Sequence, residues 1–217
     1  MSDIFHEVDE EVRRDQLAKL WERYGSYAIA LAVVVIAAIA GWRGYEWWES
    51  KKAAEAGAAF EAAITLSEEG KHAEAEAAFA KLAVEGTSGY RVLARLRVAA
   101  ELAQRDPKEA VKAYDELAAS SALDQTLQDL AALRAGFLLA DSASFAELRR
   151  RLDALAAPDR TFRHSARELL AMAAWRTGDI TAARRFIDMI ATDAETPQGT
   201  PARIDVLSAL IAADGKS

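Results

Sequence analysis

The chain has 217 residues, a net charge of −7 and no cysteine. Disulfides and cysteine-ligated metals are therefore excluded, and the lack of a basic excess argues against a nucleic-acid partner. The acidity is uneven: residues 1–23 carry −3, residues 44–85 carry −5, and residues 86–217 balance at eighteen charges of each sign.

Residues 1–23 read as an acidic tail. Phe5, Val8 and Val12 fall on one helical face, as do Leu17, Leu20, Trp21 and Tyr24. This suits an amphipathic helix making a cytoplasmic or inner-leaflet contact, or a plain helical extension of the apolar stretch next in the chain. From Tyr24 to Trp42 there is no charge, and Arg23 and Arg43 close the stretch. As a helix rising about 1.5 Å per residue it reaches roughly 28 Å, close to the hydrocarbon thickness of a bilayer. Trp21, Tyr24 and Tyr27 lie at one end and Trp42, Tyr45, Trp47 and Trp48 at the other, where aromatic belts form. The segment predicts a transmembrane helix over 24–42, against two alternatives. A buried core helix seldom carries aromatic girdles and Arg at both margins. A cleavable signal peptide would begin earlier and end in small residues; Ala38 and Ala40 form such a pair, but Trp42-Arg43 comes next.

Arg13, Arg14, Lys19 and Arg23 precede the span, and Arg43, Lys51 and Lys52 come after it. This bias of one charge, with a short tail and a single span ahead of a long C-terminal part, predicts an inside N-terminus and an exported C-terminal part. A juxtamembrane segment over 43–53 then leads to a helical domain over 54–217.

That domain is rich in Ala and Leu and has no strand-like alternation. Val92, Leu93, Leu96, Ala99, Ala100 and Ala103 recur at helical spacing. Asp106-Pro107-Lys108-Glu109 is a helix start, with Asp as N-cap and Pro at the first position. Ser144-Phe145-Ala146-Glu147 reads as a capping box, and Gly70 and Gly178 as helix stops. Four segments repeat one pattern: Ala75-Phe79-Leu82-Ala83, Ala110-Tyr114-Leu117-Ala118, Leu148-Leu152-Leu155-Ala156 and Ala183-Ile187-Ile190-Ala191. The large residues Phe79, Tyr114, Leu152 and Ile187 are 35, 38 and 35 apart. Two helices per unit at such a period is the tetratricopeptide arrangement, in which hairpins stack because one alone cannot bury its apolar face. The pairs are predicted at 54–69 with 71–85, 88–105 with 107–119, 124–140 with 144–157, and 161–177 with 179–193. A capping helix is predicted at 201–213, then a frayed tail from Asp214 to Ser217. The fold class is all-α: one N-terminal transmembrane helix, then a tetratricopeptide-like α-solenoid of four hairpins and a cap.

No catalytic, cofactor-binding or metal-ligating residues are expected. His6, His72 and His164 are scattered, and His72-Ala73-Glu74 reads as a solvated helix start. Glu68-Glu69 and Asp115-Glu116 read as solvated helix faces. Arg160, Arg163 and Arg167 share a helical face, with Arg149, Arg150 and Arg151 before them and Arg184 and Arg185 after. They fit ordinary surface balanced by Glu147, Asp153, Asp159 and Glu168, or a docking strip for an acidic partner.

The anchor and its edge, Tyr24-Gly25 through Gly41-Trp42-Arg43, together with the hairpin from Arg176-Thr177-Gly178-Asp179 to Ala191, are similar to the YfgM-type family of bacterial inner-membrane proteins. The resemblance implies an ancillary subunit of the SecYEG translocon, working beside the chaperone PpiD and passing exported proteins to periplasmic chaperones. It brings no catalytic residues and no cofactor. Two other readings stay open: an adaptor for another envelope assembly, such as cytochrome maturation or cell-wall synthesis, and a membrane-anchored enzyme.

Overall fold

In a computed structural model the structure describes residues 3–214, and for residues 3–17, 19, 20, 28 and 214 the backbone alone. The side chains of Phe5, His6, Val8, Val12, Leu17 and Leu20 thus lie outside the described residues, as do residues 215–217 of the tail. Among the described residues the fold is all-helical: α1 (Asp3–Glu68), α2 (His72–Glu85), α3 (Ser88–Arg105), α4 (Pro107–Ala118), α5 (Gln125–Leu139), α6 (Phe145–Leu152), a 3-10 turn (Ala154–Ala156), α7 (Arg163–Arg176), α8 (Ile180–Ala191) and α9 (Thr200–Asp214). The chain divides into two compact units, residues 1–54 and 55–217.

The first unit is helical throughout its described residues. Among the described residues of the chain, one helix is long and apolar enough to cross a membrane, with a mean hydropathy of 2.0 over its most apolar stretch. Ile29, Leu31, Val33, Val34, Ile36 and Ile39 are all exposed. A core helix would bury them, so the buried-core alternative is set aside. Lys51 and Lys52 reach back over the Trp47 and Trp48 rings, the Lys52 ammonium at 3.7 Å from its ring centroid. Such contacts set each cation over an aromatic ring.

The second unit is a stack of antiparallel hairpins. Its first hairpin pairs the last turns of α1 with α2, so the helix expected to start near 54 has no separate beginning. Two stops are set by glycine. Gly70 and Gly178 have φ of 75° and 81°, a region costly for any residue with a Cβ. Lys71 N–H donates to Leu66 O and Gly70 N–H to Ser67 O; Asp179 and Gly178 bond Ala174 O and Trp175 O in the same way. This double closure satisfies carbonyls that a helix end leaves open. Asp106 accepts from the amides of Lys108 and Glu109, with Pro107 at the first helical position.

The capping box at Ser144 is half formed. Ser144 Oγ accepts from Glu147 N–H at 3.2 Å, but the Glu147 carboxylate turns toward Arg151, 3.8 Å away. The helix expected over 144–157 also stops early, because a 3-10 turn at Ala154–Ala156 swings Leu155 and Ala156 into the core. Asp214, expected in a frayed tail, ends α9.

The repeat pattern maps onto burial. Ala75, Ala110, Leu148 and Ala183 are buried, and so are Phe79, Tyr114, Leu152 and Ile187. The small residue admits the neighbouring helix and the large one fills the space between hairpins. Phe79 shows both sides of the contact: its ring meets Phe60 edge-on at 5.2 Å, and the Arg97 guanidinium lies 5.4 Å from its centroid. The core falls into three successive clusters, around Phe79, around Tyr114, and around Leu148 to Ile211, as expected where each unit packs on its neighbours. One expected core residue is out of place. Leu93 is exposed, and the buried side of α3 runs through Ala94, Ala99 and Glu101.

Candidate functional site

An apolar opening in the helical unit lies between α7 and α9, beside the end of α5. It encloses about 400 Å³. Leu169 and Met172 of α7 and Val206, Leu207 and Leu210 of α9 line it. A smaller depression of about 250 Å³ shares Leu169 and Met172 and adds Phe137 of α5. Half of Phe137 is exposed, as are 42% of Met172, 62% of Val206 and 43% of Leu210. These side chains cluster on one face, where scattered exposed leucines would need no explanation.

α9 takes two jobs because it is apolar on two sides. Ile204, Leu207 and Ile211 enter the core with Phe186, Ile187 and Ile190, closing the end of the stack. Val206 and Leu210 are left over and form the groove wall. The expected cap is thus also part of an opening. Its position is held by Arg203, whose guanidinium donates to both Glu168 oxygens, at 2.5 and 2.7 Å. That carboxylate holds the Arg203 proton above the usual arginine range. The groove rim carries Asp141, Glu168, Arg176 and Arg203, two charges of each sign, so it has no net charge.

The charged residues singled out from the sequence are mostly internal ties. Arg160, Arg163 and Arg167 form neither a docking strip nor a solvated face. Arg160 pairs with buried Asp129 at 3.2 Å. Arg163 grips Asp193 and Glu195. Arg167 is 3% exposed and donates to Ala156 O at 2.9 Å, Met189 O at 3.0 Å and Asp193 Oδ2 at 2.8 Å. Arg163, the Glu195 amide and Arg167 together hold the Asp193 carboxyl well below the usual carboxylate range. Arg149, Arg150, Arg184 and Arg185 are exposed. Arg151 joins Asp115 of α4, so Asp115, partly exposed as expected, is also a cross-hairpin partner.

His72 also departs from its expected solvated role. Its Nδ1 lies 2.8 Å from Oε2 of Glu101, which is buried, while Ser67 Oγ donates to Glu101 Oε1 at 2.7 Å. Ser, His and Glu thus meet, but both Ser67 and His72 bond the carboxylate and not each other. A nucleophile needs its base directly at the hydroxyl, so this trio acts as a tie between α1, α2 and α3.

Stacked helical hairpins with a repeating small–large core and an open apolar groove define a helical-repeat interaction protein. A family model described as a tetratricopeptide repeat-like domain matches residues 18–199, and the chain belongs to that family. No curated protein and no solved structure matches it.

Proposed function

We propose that this chain is a membrane-anchored, non-enzymatic interaction module of the bacterial inner membrane. In this reading residues 1–23 are a cytoplasmic tail, 24–42 the span, 43–53 the juxtamembrane segment and 54–217 a periplasmic domain. Its role is that of an ancillary SecYEG subunit beside PpiD, passing exported proteins to periplasmic chaperones. The observation that carries the interaction role is the open apolar groove walled by Met172, Val206 and Leu210. A chain crossing into the periplasm is unfolded and exposes apolar segments, which such a neutral-rimmed groove accepts without reading charge. The Sec assignment rests on the resemblance of the anchor and of the hairpin from Arg176 to Ala191.

The test is photo-crosslinking in intact membranes, with photoreactive side chains placed at Met172, Val206 and Leu210 and along 24–42. Adducts to SecY or PpiD from the span, and to exported chains from the groove, are expected. Adducts only to another envelope complex would overturn the Sec role. The double substitution Val206→Glu with Leu210→Glu should abolish groove adducts. Because both side chains are exposed, melting should shift by no more than about 0.5 kcal/mol per site. Groove adducts that persist in this variant would remove the groove from the mechanism.

The anchor has its own test. Val34→Arg places a charge at the helix centre, at a cost of about 2.5–3.5 kcal/mol on the insertion scale. Much of the variant should then leave the membrane in alkaline carbonate. Full retention would show that Tyr24 to Trp42 is not the sole anchor.

A further inference from the structure

Residues 192–199 connect α8 to α9, and one carboxylate ties that connection to α7. Asp193 Oδ2 accepts from Arg163 Nε at 2.7 Å and from Arg167 Nη1 at 2.8 Å. Asp193 Oδ1 accepts from Arg163 Nη2 at 3.2 Å and from the Glu195 amide at 3.1 Å. Glu195 pairs with Arg163 from the solvent side. Two guanidinium cations and two carboxylates therefore balance. A further ionisable group stands among them: His164 is buried, and its Nε2 lies 3.1 Å from Asp193 Oδ2 but off the line of a hydrogen bond. Two donors already occupy that oxygen.

We propose that His164 is the acid trigger of this clasp: protonating its imidazole releases the 192–199 connection and loosens α9, so that one wall of the apolar groove becomes mobile at mildly acidic pH.

The charge balance sets the direction. Protonation adds a third cation beside Arg163 and Arg167, where the one inner acid, Asp193, already accepts from both guanidiniums and Glu195 lies out in solvent. Burial first, then Arg163, push the imidazole below the ordinary histidine range, with Asp193 pulling the other way. The opened connection therefore binds the proton more readily than the closed one. Closure is at full strength above about pH 6.5 and weakens as pH falls below it. Asp193 stays ionised throughout this window, because its own carboxyl is held far lower. The charges acting on His164 are Arg163 and Arg167 of α7 and Asp193 of the connection. From α5, Asp129 is engaged by Arg160. From α9, Arg203 is engaged by Glu168. The 3-10 turn contributes the Ala156 carbonyl, which Arg167 occupies. The device does not depend on which partner enters the groove.

The test is amide hydrogen exchange on the full chain in nanodiscs at pH 7.5 and 5.5, corrected for the intrinsic chemical rate. Protection of residues 192–214 should fall by up to about tenfold for each pH unit below 6.5, while α3 and α4 keep theirs. His164→Gln should remove this response, and Asp193→Asn should loosen the same residues at both pH values. His72→Gln, which alters the other histidine of the helical domain, should leave the response of 192–214 intact. Wild-type protection of 192–214 that is unchanged or higher at pH 5.5 overturns the proposal, as does a response lost in His72→Gln or retained in His164→Gln.

Discussion

Tyr114→Ala is expected to destabilise the helical domain by about 3–5 kcal/mol, the range for emptying a buried aromatic site. In a domain of this size each kcal/mol lowers the melting temperature by roughly 2–4 °C. Tyr114 is 4% exposed and sits in the middle core cluster with Ala99, Leu117, Leu123, Ala131 and Ala135. Three of those neighbours are alanines, too short to collapse into the space. Burial also pushes the Tyr114 phenol up, in keeping with a ring held away from water. The middle cluster lies between the other two in the chain, so the cavity should broaden the transition as well as lower it. Circular dichroism during thermal and urea unfolding measures both effects. Tyr114→Phe keeps the volume and should lose far less, and Leu93→Ala, on exposed surface, should stay within about 0.5 kcal/mol. Melting unchanged in Tyr114→Ala would remove this residue from the core.

The second large effect concerns an arginine. Arg167→Ala should cost about 3 kcal/mol, the lower end of the range for breaking a buried ion pair. The lower end applies because Asp193 keeps Arg163 as a partner. The loss goes beyond one pair, since the carbonyls of Ala156 and Met189 lose their donor as well. Arg167→Lys should rescue little. A lysine is a single charged point and cannot span three acceptors as the planar fork does. Arg149→Ala, on exposed surface, should be close to neutral. The comparison is made by denaturant midpoints on the same chain. Equal midpoints for Arg167→Ala and Arg149→Ala would show that Arg167 does not hold the α7–α8 packing.

How far the sequence reaches depends on the range of the interaction that decides each feature. Helix starts and stops are local. Asp106-Pro107, Gly70 and Gly178 place them because capping geometry involves residues only a few positions apart. The hairpin stack is legible for a related reason. The same small–large pattern returns with Phe79, Tyr114, Leu152 and Ile187, and each copy meets the same kind of neighbour. The length and composition of the span from Tyr24 to Trp42 are read directly from its residues.

Side-chain partners are another matter. The spacing of Arg160, Arg163 and Arg167 says that they share a helical face, but not what packs there. That face is covered by Asp129 and Asp193, which arrive from 31 and 30 residues away in the chain. Glu101 and its partners Ser67 and His72 are 34 and 29 residues apart and give no local signal. The groove is hidden in the same way. Met172, Val206 and Leu210 look like core residues in a helical pattern, and only the packing of α9 against α7 and α8 uses up Ile204, Leu207 and Ile211 while leaving the others open. By itself the sequence determined the elements, their repeat and the apolar span, because local geometry and periodicity control them. The tertiary structure alone decided which charges are buried together and which apolar side chains stay exposed, because both depend on the surface that each helix meets.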